Sequence, residues 1–186
     1  MSTIGFDTSN YTTSTAWTDG KTDINVRQIL YVKDGERGIR QSDGVFQHMK
    51  LMPVMYEKLS EQIDFKDVNA VGVSTRPRCV EGSYMPVFLA GEGYAKVVAN
   101  TLGVPLYEFS HQDGHIMAGI YSSGSFELLE NDFISVHLSG GTTEILKSRY
   151  NEFNFDNEII GGSKDISAGQ FIDRVGVKNG LTFSCR

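Results

Sequence analysis

Short apolar runs separated by polar, turn-forming residues open the chain. Ile4-Gly5-Phe6 and Thr13-Ser14-Thr15-Ala16-Trp17 are β-prone and flank Asp7 to Thr12, a pattern that predicts a hairpin with a polar tip. Val26, Ile29, Leu30, Tyr31 and Val32 carry a third strand over Ile24 to Val32, broken at Asp34-Gly35. The period then changes. Val45, Met49, Met52, Tyr56 and Leu59 recur every three or four residues, predicting a helix over Val45 to Leu59 with a kink expected at Pro53.

Val68 to Ser74 has the apolar density of a buried strand and runs into the Gly- and Pro-punctuated loop Arg76 to Gly82. Met85 to Leu102 follows as a helix whose Ala90, Gly91, Gly93, Ala95 and Ala99 permit close packing on a sheet. A strand over Gly103 to Phe109 and a helix from Ser110 to about Tyr121 complete the order β-β-β-α-β-α-β-α, a mixed sheet covered by helices. After the tract Ser122 to Ser125, Phe133 to Leu138 and Glu144 to Lys147 flank Ser139-Gly140-Gly141-Thr142-Thr143, repeating the opening design. Gly161-Gly162-Ser163 leads into a last helix over Ile166 to Val177, with no strand expected after it. The expected organisation is a first lobe over 1–130 and a second over 131–186 that is cut short. Apolar surface left by an unfinished lobe would favour oligomerisation.

The chain has 186 residues, 40% of them hydrophobic, enough for a real core. It contains no run of about 18 apolar residues, and no basic-then-apolar leader follows Met1, so a soluble, cytoplasmic protein without membrane contact is expected. Cys79 and Cys185 lie far apart and outside any Cys-x-x-Cys pair, as ordinary reduced thiols do. Seventeen Lys plus Arg against 23 Asp plus Glu give a net charge of -6, a poor footprint for holding nucleic acid alone. An RNA substrate would need a partner protein to help hold it.

Two features carry candidate chemistry. The Ser-, Thr- and Gly-rich turns at the two hairpin tips offer backbone N–H groups and hydroxyls that can surround phosphate oxygens. Such residues are also common in plain hairpin turns; as a facing pair the two turns suggest a nucleotide cleft by analogy with actin and sugar kinases. The second feature is Ser110-His111-Gln112-Asp113-Gly114-His115. With Ser110 as cap and Asp113 in the reciprocal capping position, His111 and His115 fall one turn apart on one helical face, where two imidazoles can share a metal. The helix start favours a neutral His111, and Gly114 in mid-helix suggests a close approach by another group. Two histidines need further ligands, and a polar helix start is the plain alternative. No glutamate follows His111, which excludes a His-Glu-x-x-His protease. His48 is expected at the surface or its boundary, Asp165 as a cap of the last helix, and Asp173 towards the cleft if Phe171, Val175 and Val177 form that helix's apolar face.

Together these residues resemble the tRNA threonylcarbamoyl-adenosine synthase family, the tRNA-modifying group also known as glycoproteases. The family's opening Gly-Ile-Asp/Glu-Thr-Ser is similar to Gly5-Phe6-Asp7-Thr8-Ser9. Its Thr-Arg-Gly-Pro-Gly loop and following Gly-Ser helix resemble Thr75-Arg76-Pro77 through Gly82-Ser83 to Lys96. Its His-x-x-x-His matches His111 and His115, its Ser-Gly-Gly turn matches Ser139 to Gly141, and its Ala-Gly-x-Phe-Asp-Lys helix resembles Ala168 to Arg174. The resemblance implies an α/β, actin-like ATPase (ribonuclease H-like) fold with a complete first lobe and a truncated second. It implies an acyltransferase that passes threonylcarbamoyl from threonylcarbamoyl-adenylate to the adenosine beside the tRNA anticodon. It further implies one divalent ion, iron or zinc, on His111 and His115, with the third protein ligand, a later Asp, lying beyond this chain. His137, Leu138, Ser139, Gly140 and Gly141 would line the adenylate and Asp173 would contact its sugar. A related actin-like subunit is the implied partner, in a homo- or hetero-oligomer, and the His pair places the chain in the catalytic branch.

The chain also departs from the family pattern. Asn10-Tyr11-Thr12 stands where the family has Cys-Asp followed by Asp or Glu, Thr142 where it has His, and Ser184-Cys185-Arg186 where it has Pro-Gly-Gly. A non-catalytic, partner-binding paralogue or inactive fragment is therefore the alternative. A metallopeptidase is disfavoured, since no general base accompanies the His pair.

Overall fold

The computed structural model describes residues 1–33 and 38–181; Asp34-Gly35, Cys185 and the Ser184-Cys185-Arg186 departure lie outside them. Two compact units follow one another, Met1–His115 and Ile116–Arg186. The division falls inside a helix, and the second meander begins at Phe133, two residues after the expected start of the second lobe.

In the first unit, β1 (Ser2–Asp7), β2 (Thr12–Thr18) and β3 (Asp23–Ile29) form the antiparallel meander expected from the period-two pattern. β3 stops three residues early for a visible reason. The Gln47 side chain takes both main-chain groups of Tyr31, accepting from its N–H at 2.8 Å and donating to its carbonyl at 3.0 Å, so the chain leaves the ladder. β4 (Val68–Arg76) pairs in parallel with β1, and β5 (Leu106–Ser110) in parallel with β4, giving the order β3-β2-β1-β4-β5. Parallel neighbours need helical crossovers. These are α1 (Gln41–Ser60), packed on β2 and β3, and α2 (Phe88–Leu102), packed on β4 and β1. The core gathers Ile4 and Phe6 from β1, Val71 and Val73 from β4, Met52 and Leu59 from α1, and Ala95 and Ala99 from α2.

α1 runs without interruption through Pro53. Proline has no N–H to give the carbonyl four residues back, that of Met49, and the Tyr94 hydroxyl of α2 donates to that oxygen at 3.0 Å. The helix buries Gly44, His48, Met52, Met55 and Leu59, while Met49 is about half exposed. His48 is thus fully buried rather than at the surface, because the buried stripe is rotated towards it. Its Nδ1 pairs with the Thr13 hydroxyl at 2.7 Å, and its Nε2 is buried with no hydrogen-bond partner among the described residues.

Burial holds the His48 imidazole below its ordinary range, opposed only in part by the Asn10 backbone and the Asp7 charge. A depressed histidine keeps its stability contribution above the unfolded-state value near 6.5 and loses it as pH falls from there towards the folded value. The expected result is a urea midpoint that declines as pH drops through about 6.5, with the His48 ring titrating below that value by NMR. A His48 ring that titrates at or above its ordinary value would contradict this.

In the second unit, β6 (Phe133–Leu138), β7 (Thr143–Tyr150) and β8 (Phe155–Gly162) form a second antiparallel meander, followed by α4 (Ala168–Lys178). This repeats the order β1-β2-β3-α1. β8 is a strand the sequence pattern misses, because Asp156-Asn157-Glu158 carries no apolar alternation. Polar pairing supports it instead. The Ser135 and Ser148 hydroxyls meet at 2.9 Å and Ser148 donates to Asn157 Oδ1 at 2.7 Å, a hydrogen-bond chain across all three strands.

Candidate functional site

The first candidate site sits at the C-terminal end of β1. Thr8 is fully buried. Its hydroxyl donates to the Val87 carbonyl at 2.8 Å and accepts from the Gly91 N–H at 3.0 Å, tying the first turn to the start of α2. A Cβ on Gly91 would stand 2.8 Å from that hydroxyl, so the small residue expected to allow close packing is needed there. Asn10, in the turn that departs from the family pattern, adopts φ 49°, a left-handed conformation that asparagine tolerates.

α3 (His111–Ser123) begins directly after β5. Ser110 N–H and hydroxyl both reach Asp113 Oδ2, at 3.0 and 2.7 Å, and the Asp113 N–H returns to Ser110 Oγ at 3.1 Å, the reciprocal cap anticipated from sequence. The His111 and His115 rings lie 4.2 Å apart between centroids and tilted by 68°, on one face. The Phe88 ring packs edgewise on His111 at 6.3 Å. A Cβ on Gly114 would meet nothing within 4 Å, so the close neighbour expected there is absent among the described residues.

The partner of His111 is Asp7, whose Oδ2 lies 2.9 Å from His111 Nδ1. Sequence reasoning placed Asp7 in the opening motif without connecting it to the helix. Burial alone would raise the Asp7 carboxyl. The His111 hydrogen bond and charge, with hydrogen bonds from Ser9 and Ser74, outweigh that effect and bring it down to about 2. An ionised carboxylate only accepts, so His111 Nδ1 carries the proton of this contact. The arrangement suits a metal ligand held by an outer carboxylate. No group of three or more His, Cys, Asp or Glu side chains placed to hold a metal ion together occurs among the described residues.

The second candidate site lies within the second unit. A cleft of about 480 Å³ is lined by Gly141 and Thr142 of the turn before β7, Thr143 and Glu144 at the start of β7, Ile159 to Gly162 at the end of β8, and Ser163, Asp165 and Ser167 after it. Ser167, not Asp165, caps α4 by accepting from the Gln170 N–H, and Asp165 is left to line the cleft. The 139–143 turn is bolted to α4. Gly169 N–H donates to the Ser139 carbonyl at 3.2 Å, Ser167 Oγ to the Gly140 carbonyl at 2.9 Å, and Ala168 N–H to Thr143 Oγ1 at 2.7 Å. Backbone amides, four hydroxyls and two carboxylates in a glycine-edged cleft can hold a phosphate and the hydroxyls of a sugar.

Of the residues picked from sequence here, Gly141 lines this cleft; Ser139 and Gly140 form the turn beneath it, through the α4 contacts. The Leu138 side chain is exposed, and the His137 ring is half-buried in β6. Asp173 is 6% exposed, on the α4 face formed with Gly169 and Gly176. Phe171, Val175 and Val177 are exposed, so the apolar face assumed for α4 is not its buried one. Glu144, Ser163 and Asp165 were missed or misassigned because a cleft formed at the paired ends of two strands leaves no periodic trace in sequence.

A family model for tRNA N6-adenosine threonylcarbamoyltransferase, TsaD, matches residues 36–184. The chain belongs to that family. A TsaD-family protein of Christiangramia forsetii is 31% identical over 135 residues, covering 72% of this chain and 37% of that relative. One from Pyrobaculum calidifontis is 28% identical over 182 residues, covering 97% of this chain and 50% of the relative. The chain therefore spans between about a third and a half of the length of these curated relatives. Among solved structures, YeaZ from Pseudomonas aeruginosa superposes with a TM-score of 0.52 at 12% identity, over 91% of this chain and 70% of that one. This TsaD-family chain has the actin-like ATPase (ribonuclease H-like) fold, with the strand order β3-β2-β1-β4-β5 in its first sheet. Among the described residues no helix is long and apolar enough to cross a membrane.

Proposed function

We propose that this chain acts in transfer of threonylcarbamoyl from threonylcarbamoyl-adenylate to N6 of the adenosine beside the tRNA anticodon. The observation that carries this reading is the capped His111–His115 pair, held by Asp7 from the opening motif in a chain matched to TsaD over 36–184. In the transfer, the N6 nitrogen bonds to the carbamoyl carbon and loses a proton. The bond from that carbon to the phosphate oxygen breaks, and AMP leaves.

The turns of the second unit would hold the adenylate. Main-chain N–H groups at Gly140 to Thr142 would take its phosphate, with Ser139 shaping the turn, and Asp165 or Asp173 its ribose. His111 and His115 would hold one divalent ion, iron or zinc, a group that supplies Lewis acidity. With a net charge of -6, the chain would engage tRNA through partners in the cytoplasm. Exposed Phe46, Met49 and Val54 of α1 and Leu89 and Val97 of α2 offer an apolar surface for a related actin-like subunit or a second copy.

A non-catalytic paralogue is the second reading, favoured by Asn10-Tyr11-Thr12 in place of the acidic turn. Reconstitution with threonylcarbamoyl-adenylate, tRNA and candidate partner proteins separates the two. The expected result is modified adenosine with the wild-type chain and at least a tenfold loss with His111→Ala, roughly the effect of removing about 1.4 kcal/mol of transition-state stabilisation. Modification that is absent, or unchanged by His111→Ala, would overturn the catalytic reading.

A further inference from the structure

Asp7 and His111 are distant in sequence and joined by a single hydrogen bond, 2.9 Å from Oδ2 to Nδ1. Each is fixed from other directions. Asp7 closes β1, a central strand between β2 and β4, and its other oxygen, Oδ1, accepts from the Ser9 N–H at 2.7 Å and from the Ser9 hydroxyl. The carboxylate plane is thereby set before it meets the histidine. The His111 ring is bounded by the edge-on Phe88 ring and by the tilted His115 ring.

We infer that Asp7 is a positioning residue for the histidine pair: it holds the proton on His111 Nδ1 and presents Nε2, alone of the two nitrogens, to a divalent ion. Imidazole has two ring nitrogens, and the partner of one decides the tautomer and so which nitrogen can ligate. A carboxylate behind a ligating histidine also raises the ligand's basicity and restricts its orientation. The role at the metal rests on the reading of His111 and His115 as ligands; the role in setting the tautomer does not.

The test uses the full chain with uniformly ¹⁵N-labelled histidine. Long-range ¹⁵N–¹H spectra of the metal-free protein are expected to show His111 as the Nδ1–H tautomer in wild type. Asp7→Asn, whose amide can donate to Nδ1, should move it towards Nε2–H, and Asp7→Glu should restore Nδ1–H. In zinc titrations against a chromophoric chelator, Asp7→Asn should bind about 10–100-fold more weakly and Asp7→Glu should recover part of the loss. An Nε2–H tautomer in wild-type His111, which needs no variant to observe, would overturn the inference. So would zinc affinity and tautomer both unchanged in Asp7→Asn. Wild-type chain that takes up no zinc while retaining the Asp7-dependent tautomer would overturn the metal reading and leave the positioning role standing.

Discussion

Gly169→Ala is expected to destabilise the chain by about 1–3 kcal/mol and to disorder the 139–143 turn, read by urea unfolding and by the amide resonances of Gly140 and Gly141. The added Cβ would stand 2.5 Å from the Ser139 oxygen, 2.6 Å from its carbonyl carbon and 2.7 Å from the Gly140 nitrogen. All three atoms are backbone, so no side chain can swing aside. Either the turn or the N-terminus of α4 must move, and the contacts from Gly169, Ser167 and Ala168 to that turn move with it. Gly114→Ala is the matched control. Its Cβ would enter open space within α3, where alanine is favoured over glycine by about 1 kcal/mol, so stability should hold or rise. Equal losses from both substitutions would contradict the close approach at Gly169.

Phe88→Ala should cost about 3–5 kcal/mol, the usual range for emptying a buried aromatic position, and should also loosen His111. Phe88 is 2% exposed at the first residue of α2, and its ring edge faces the His111 ring. Removal leaves a cavity beside His111, so the imidazole gains rotational freedom that binding of an ion would have to remove. Zinc affinity should fall together with the urea midpoint, and Phe88→Leu should restore more of the stability than of the affinity, since it refills volume without a flat edge. A Phe88→Ala chain that keeps the wild-type urea midpoint would show that this ring is not part of the packed interior.

Much of the fold was legible because its signals are local. The β6 range, Phe133–Leu138, coincides with its apolar run, and the Ser110–Asp113 cap follows from a three-residue spacing. The end of α2 at Leu102 follows from Gly103, whose φ of +67° closes the helix. What escaped has no local signature. β8 is held by cross-strand partners in β7, and the face that α1 buries depends on where β2 and β3 lie against it. The helical period alone puts His48 on a solvated face, whereas its partner in the interior is Thr13, 35 residues away.

The amino-acid sequence by itself determined the order of strands and helices in the first unit, the two hydroxyl-rich turns, the histidines one turn apart and the family. Each of these depends on neighbours within a few residues, or on motifs in a fixed order. Only the tertiary structure decided that Asp7 meets His111 across 104 positions, that Gly169 must be glycine, and that Asp165 lines a cleft while Asp173 is buried. Those are contacts between elements, and side-chain spacing along one strand or helix carries no information about which surface another will present to it.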